Sequence, residues 1–390
     1  FASTSNTEWI GGYTPNNNSY ALYSNHHPDQ HSFVFYPSAP NQVISGNDGG
    51  LQYAADVRVT DSSTEPITWT PLNNGYLTTQ VYAISIGPSD QILAGFQDNG
   101  TWETLTTSTT VDWHDPFSGD GAYSAYSSDG TMRYMSSQNA NVYRIPYSDE
   151  NDATPNNYIE ITPSGYETDL FITPFYLDHE NDDIFYLGGN ADLWVNTSAS
   201  GATTSSGWKS IDLPGVSGVV SEFGVVGNGT TYLGTTGGMV YKVQSVASGT
   251  PVVTNISPAD ASGNYISGIG VNEDNPDELL VVVSNYSVKS IFHTTDGGAT
   301  WTHVGGNLEE NTDGSGSGPS IRTTRILDNG SVYIVGTSVG LFTTTSINGS
   351  NTVWQQEDID NLGAVVVEHV VSRNSDNLVV VGTHGNGVYS

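Results

Sequence analysis

Apolar and polar positions alternate along this chain in short runs separated by clusters of Gly, Asn, Asp and Ser, and no window sustains a helical period. The pattern predicts short strands and tight turns. The clearest case is IFHTTDGGATW, Ile291 to Trp301. Ile291 to Thr294 is β-prone, Asp296-Gly297-Gly298 tolerates the positive φ of a turn, and Ala299-Thr300-Trp301 enters another extended run. This stretch reads as a hairpin. Two further runs, Ile266 to Val271 and Leu279 to Val283, precede it, so the unit has four strands, a Trp on the last, and a length of roughly 45 residues.

Copies of the unit fill the chain. The first spans Ser32 to Leu72, with FVFYP, QVISG, LQYAA and ITWTP. The next three are VYAISI, QILAG, GTWET, VDW; then AYSAYS, MRYMS, NVYRI, YIEIT; then LFITPFY, IFYLG, DLWVN, GWKSI. A weak fifth copy has EFGVV, TYLG, MVYKV and VVTNI. After the Ile266 unit come IRTTRIL, VYIVG, GLFTT and VWQQE, and from Ala364 VVVEHVVS, LVVVG and GVYS. This final copy lacks a fourth strand, while TEWIG, Thr7 to Gly11, offers one with Trp9 at the marker position. The expected fold is therefore all-β: a single β-propeller of eight four-stranded blades over residues 1–390, closed by the N-terminal strand. Residues 1–11 would be the outer strand of the last blade, 12–31 a connecting loop, 32–363 seven blades, and 364–390 the first three strands of the last. Seven blades is the alternative, with the fifth copy as a decorated loop. The marker Trp is expected to pack between neighbouring sheets.

Composition narrows the partners. With 41 acidic and 9 basic residues, a net charge of −32 and only three Lys, the chain lacks the clustered cations that phosphate binding needs, so nucleic acid is not expected. Dispersed acidity suits a solvated surface in an extracellular or cell-surface setting. No apolar run approaches the length of a membrane span, and the opening at Phe1 reads as a mature or trimmed product. The absence of Cys excludes disulfides and thiolate metal sites.

In a four-stranded blade, turns between the second and third strands share one face with the connections between blades, and the other turns share the opposite face. The first face would collect His26 to His31 (HHPDQH), Asn47-Asp48-Gly49-Gly50, Gln97-Asp98-Asn99-Gly100, Gly119-Asp120-Gly121 and Thr383-His384-Gly385. His27, Asp29, His31, Asp48, Gln97, Asp98, Asp120 and His384 are thus the expected ligand-binding residues, converging near the channel mouth. Asp48, Asp98 and Asp120 are the catalytic candidates, because a carboxylate pair can serve glycoside hydrolysis. His27-x-Asp29-x-His31 sets alternate side chains on one side of an extended segment, a candidate divalent-cation site in which imidazole would favour a transition metal over calcium. Asp178, His179, Glu180, Asp182, Asp183 and the run Asn272 to Glu278 fall on the opposite face and read as solvated turns. Asp before Gly is also an ordinary turn residue.

Thr294, Asp296, Gly298, Thr300 and Trp301 match the Asp-box, S/T-x-D-x-G-x-T-W, of the bacterial neuraminidase (BNR) repeat. HPDQH, NDGG, GFQDNGTW, SGDG and THGNGVYS, in that order, resemble secreted bacterial BNR-repeat propellers related to sortilin-type and xyloglucanase-type domains, frequent in Bacteroidetes as type IX secretion cargo. The resemblance implies an exported propeller that binds polysaccharide or a cell-surface protein through one loop face. A glycoside hydrolase or lyase using the same Asp and His residues is the alternative it implies, although xyloglucanase-type enzymes place two Asp in a cleft between two propellers. Tyr143-Arg144-Ile145-Pro146 spells a sialidase motif, but in an internal blade, and only six Arg exist.

Overall fold

The computed structural model describes residues 8–14, 22–59, 63–75, 78–108, 111–147 and 157–390. Every regular sheet is antiparallel, and the chain divides into two compact units, Phe1–Thr78 and Thr79–Ser390.

The first unit carries one four-stranded sheet, Gln30–Tyr36, Ala39–Asn47, Gly50–Ala54 and Trp69–Pro71, in sequential order. Its core is small: Tyr23, Val43, Ala54, Ile67 and Trp69. The Tyr23 hydroxyl donates to the Ile67 carbonyl at 3.0 Å and accepts the Ile67 N–H at 2.7 Å. The Trp69 indole donates to the Ile10 carbonyl at 2.6 Å. That bond bears on the expected closing strand. Residues 8–11 form no strand, Trp9 is exposed with its indole donating to the Tyr13 carbonyl, and the sheet ending at Tyr389 has three strands among the described residues. Residues 1–7 lie outside the described residues. TEWIG resembles a marker strand in pattern, but the Ile10 carbonyl is held by the Trp of the first sheet.

The second unit contains seven sheets, each running outward from an inner strand: Val81–Ile86, Ser124–Tyr126, Phe175–Leu177, Val220–Gly227, Ile266–Val271, Ile321–Leu327 and Val367–Arg373. The weak fifth copy is a complete sheet, Val220–Gly227, Thr230–Thr235, Val240–Gln244 and Val252–Asn255. Packing passes from each sheet to the next and returns from the Val367 strand to the Val81 strand. Buried apolar clusters occupy the successive interfaces. One joins Ile334 and Leu341 to Val370 and Val381, and another joins Val380 to Val81, Ile84 and Phe96. Burial of each such side chain contributes roughly 1.5–3 kcal/mol, so the stability of a sheet resides mainly in its neighbours.

In several second strands a Gly at or near the end admits the next inner strand. A Cβ on Gly336 would come within 2.6 Å of Val367, and one on Gly382 within 2.6 Å of Val81. The marker Trp residues pack as expected and add a tie: the indoles of Trp301 and Trp354 donate to the carbonyls of Ile256 and Val304 in the preceding sheets, at 2.7 and 3.0 Å. Buried carboxylates clamp the same interfaces. Glu103 accepts from Arg133 at 2.6 Å and from Tyr126 at 2.6 Å, and Glu278 accepts from Tyr333 at 2.6 Å. Register shifts at the start of five inner strands leave Tyr82, Ser221, Ser267, Arg322 and Glu368 at equivalent bulges.

Candidate functional site

At the end of the second unit where the inner strands begin, hydrogen bonds gather four of the expected residues. Gln97 N–H donates to the Gln80 carbonyl at 3.0 Å, and Gln80 forms a bridge with His384. Asp98 sits at φ 60°, the left-handed region an Asp tolerates in a turn, and its N–H donates to Asp120 Oδ1 at 2.8 Å. Asp120 N–H donates in turn to Gln138 Oε1 at 3.1 Å. Burial, then the charges of Asp120, Asp98 and Glu368, push the Tyr82 phenol up to about 12. Gln97, Asp98, Asp120 and His384 therefore share one neighbourhood around Tyr82, with the Asp120 carboxylate accepting a turn N–H. Trp102 stands beside them, its indole donating to the Asn99 carbonyl at 2.6 Å.

His27, Asp29, His31 and Asp48 belong to the first unit. The His31 imidazole pairs with the Asp48 carboxylate, and His27 Nδ1 lies 2.9 Å from the Pro28 carbonyl. Asp29 occupies a left-handed turn at φ 61°. The buried neighbour His26 contacts Ser45 Oγ at 3.1 Å, and burial, followed by the charge of His27, brings its imidazole down to about 4. Among the described residues no group of three or more His, Asp or Glu side chains is placed to hold a metal ion. His27, Asp29 and His31 do not form the expected cation site, because the turn at Asp29 breaks the extended run that would align them.

The opposite end of the second unit differs from expectation. A cavity of about 480 Å³ opens there, lined by residues of all seven inner strands and of the turns that follow them, including Pro88, Ser128, His179, Asp182, Glu273 and Ser375. These turns read from sequence as solvated loops. His179, Glu180, Asp183 and Glu273 are exposed as that reading expects, and His179, Asp182 and Glu273 also rim the cavity; Asp178 departs from it, fully buried and accepting the N–H groups of Gly229 at 2.9 Å and Asn228 at 3.1 Å. Deeper in the channel lie Glu222, 8% exposed, and Arg325. Burial pushes the Glu222 carboxyl up to about 7 against the opposing pull of Arg325 and the Phe223 N–H. Burial likewise lowers Arg325 below its ordinary value, with Glu222 acting against it. His369 accepts the Ile84 N–H at 3.1 Å, and burial with the Arg325 charge brings it down to about 3. The signal for these residues was a charge inside an apolar inner strand, SEFGVV and IRTTRIL.

Two motifs prove structural. Asp296 accepts from Thr300 N at 2.9 Å and Oγ1 at 2.6 Å, and from Thr294 Oγ1 at 2.7 Å; the bonds from Thr300 and then Thr294 bring its carboxyl down to about 2. Arg144 of the sialidase-like YRIP lies in the strand Asn141–Pro146 and donates to the Ala202 carbonyl at 2.9 Å.

No family model matches the sequence. No curated protein matches it either. Among solved structures it is similar to one titled "Structure of U3-55K", a WD40 propeller, with a TM-score of 0.56, 10% identity, and coverage of 78% of this chain and 88% of that one. At that identity the likeness concerns the fold alone, and with the outward-running antiparallel sheets it shows a β-propeller. No helix among the described residues is long and apolar enough to cross a membrane.

Proposed function

We propose that this protein is a binding propeller of the extracellular or cell-surface milieu, of the BNR type, that engages a polysaccharide through the loop end carrying Gln97, Asp98, Asp120 and His384. The seven sheets of Thr79–Ser390 are, in this reading, the blades of its ring. The observation that supports binding over catalysis is the Asp98 N–H to Asp120 Oδ1 bond at 2.8 Å. It fixes the carboxylate as a rigid acceptor rather than leaving it free to move between proton donors. Rigid carboxylate and amide acceptors beside Tyr82 and Trp102 suit sugar hydroxyls and the apolar faces of sugar rings.

A panel of plant, algal and host glycans, assayed for both binding and release of reducing ends, tests this. The expected result is saturable binding without turnover, abolished in Asp120→Ala. Turnover of a bound glycan would replace the reading with an enzyme. Unchanged binding by Asp120→Ala would move the site elsewhere.

A further inference from the structure

The cavity at the far end of the channel holds two opposite charges that do not touch. Glu222 comes from the strand Val220–Gly227 and Arg325 from Ile321–Leu327, and both line the same space. Among the described residues no ion pair joins them. The Glu222 carboxylate accepts its own chain's Phe223 N–H at 2.9 Å, and Arg325 donates from Nη1 to the Thr324 carbonyl at 2.7 Å. Each still feels the other's charge. A carboxylate accepts several hydrogen bonds and a guanidinium donates five, so each group has capacity beyond the one hydrogen bond named for it.

A buried charge without a partner is costly, and a ligand that completes both charges at once gains most from filling this gap. The neighbouring charges are already engaged or turned away. Arg373 is held by Asp376 at 3.0 Å and by the Gly87 carbonyl at 2.8 Å, and His369 Nδ1 is occupied by the Ile84 N–H. The remaining walls mix apolar side chains, Phe175, Leu177, Ile269 and Val371 among them, with polar ones such as Ser85 and Tyr123. An anion alone would satisfy Arg325 but face Glu222 across the gap and Glu273 and Asp182 at the rim. A cation alone would leave Arg325 unpaired. A molecule carrying both charges is neutral overall, and so enters a protein of net charge −32 without long-range repulsion.

We propose that this cavity binds a small zwitterion with an apolar body, the class of a free apolar α-amino acid, its carboxylate on Arg325 and its ammonium on Glu222. The site is separate from the loop end and does not depend on the polysaccharide reading.

Calorimetric titration of the full chain at about pH 8, where Glu222 is ionised, tests it with L-phenylalanine, L-leucine, 3-phenylpropionate and 2-phenylethylamine. At least one amino acid should bind, and each half-molecule should bind about tenfold more weakly or worse. Arg325→Gln should weaken the amino acid about tenfold without weakening 2-phenylethylamine, and Glu222→Gln should weaken the amino acid without weakening 3-phenylpropionate. If Arg325→Gln does not fold, Arg325→Lys, which keeps the charge and loses the fork, should still weaken the amino acid. The proposal is overturned if neither amino acid binds folded protein at about 10 mM, if 3-phenylpropionate binds as tightly as L-phenylalanine, or if Glu222→Gln leaves the amino acid affinity unchanged.

Discussion

The two ends of the channel are built from the same strands and treat their polar groups in opposite ways. At the loop end the polar residues sit in turns, and backbone groups claim them: Asp98 N–H on Asp120, Asp120 N–H on Gln138, Gln97 N–H on Gln80. Toward the other end Glu222 and Arg325 sit on the strands themselves, Glu222 buried and Arg325 half-buried, each making one hydrogen bond to its own strand, Phe223 N–H on Glu222 and Arg325 on the Thr324 carbonyl. Each carboxylate accepts one backbone N–H, and what separates them is solvent: Asp120 is half-buried and Glu222 is buried. Acidity by itself therefore does not distinguish a site from a scaffold. What distinguishes them is how far the charge has been taken out of water.

The largest effect should come from the scaffold between the ends. Glu103 and Arg133 are both fully buried, and Nε and Nη2 of Arg133 have no hydrogen-bond partner among the described residues. Glu103→Ala would strand that cation and should destabilise the protein by about 3–5 kcal/mol in urea unfolding. A loss well under about 1 kcal/mol would mean that the interface clamp is not what holds these sheets.

Glu222→Gln sharpens the contrast through pH. Because the folded carboxyl titrates near 7 rather than 4.5, the folded state binds its proton more tightly, and wild-type stability falls as pH rises through that window. The variant should equal wild type below about pH 4.5 and exceed it above about pH 7, by up to about 3 kcal/mol. Arg325, Tyr123 and Tyr265 are the titratable groups coupled to Glu222, and none of them is expected to change charge in that window. His369 works in the other direction. Its folded value near 3 means that stability is lost as pH falls below about 6.5, so His369→Gln should flatten the acid limb. Parallel pH curves for Glu222→Gln and wild type would show that the carboxyl is not desolvated.

A smaller effect is expected at the Asp-box. Asp296→Ala removes four acceptor contacts in an exposed turn, counting the Thr294 and Thr300 hydroxyls and the N–H groups of Thr300 and Ala299. It should lower the melting midpoint slightly and leave both binding ends intact. Lost glycan binding in this variant would contradict a purely structural role.

Much of this was legible in the chain. Strands and turns followed from alternation because each sheet face packs on a neighbour, and the marker Trp was readable as packing because its one polar atom needs one carbonyl. Of the carboxylates expected at the loop end, Asp98 and Asp120 were readable as neighbours from the order of their turns. TEWIG and ITWTP have the same local pattern, and the structure separates them where it describes them: Trp69 lies in a strand and donates to the Ile10 carbonyl, while residues 8–11 form no strand. The cavity was hidden for a related reason. DHENDD and NEDNPDE have the composition of any solvated turn, and nothing local shows that the strands before them leave a space. Glu222 and Arg325 are about a hundred residues apart in sequence, and only the packing of sheet on sheet brings both to line one cavity.

The claim that the two ends do different work is tested most directly by titrating one glycan, selected from the panel, into wild type, Asp120→Ala and Glu222→Gln under identical conditions. The account predicts that Asp120→Ala loses at least about tenfold in affinity while Glu222→Gln binds as wild type does. The reverse order, with the cavity variant losing the glycan and the loop-end variant keeping it, would contradict the account.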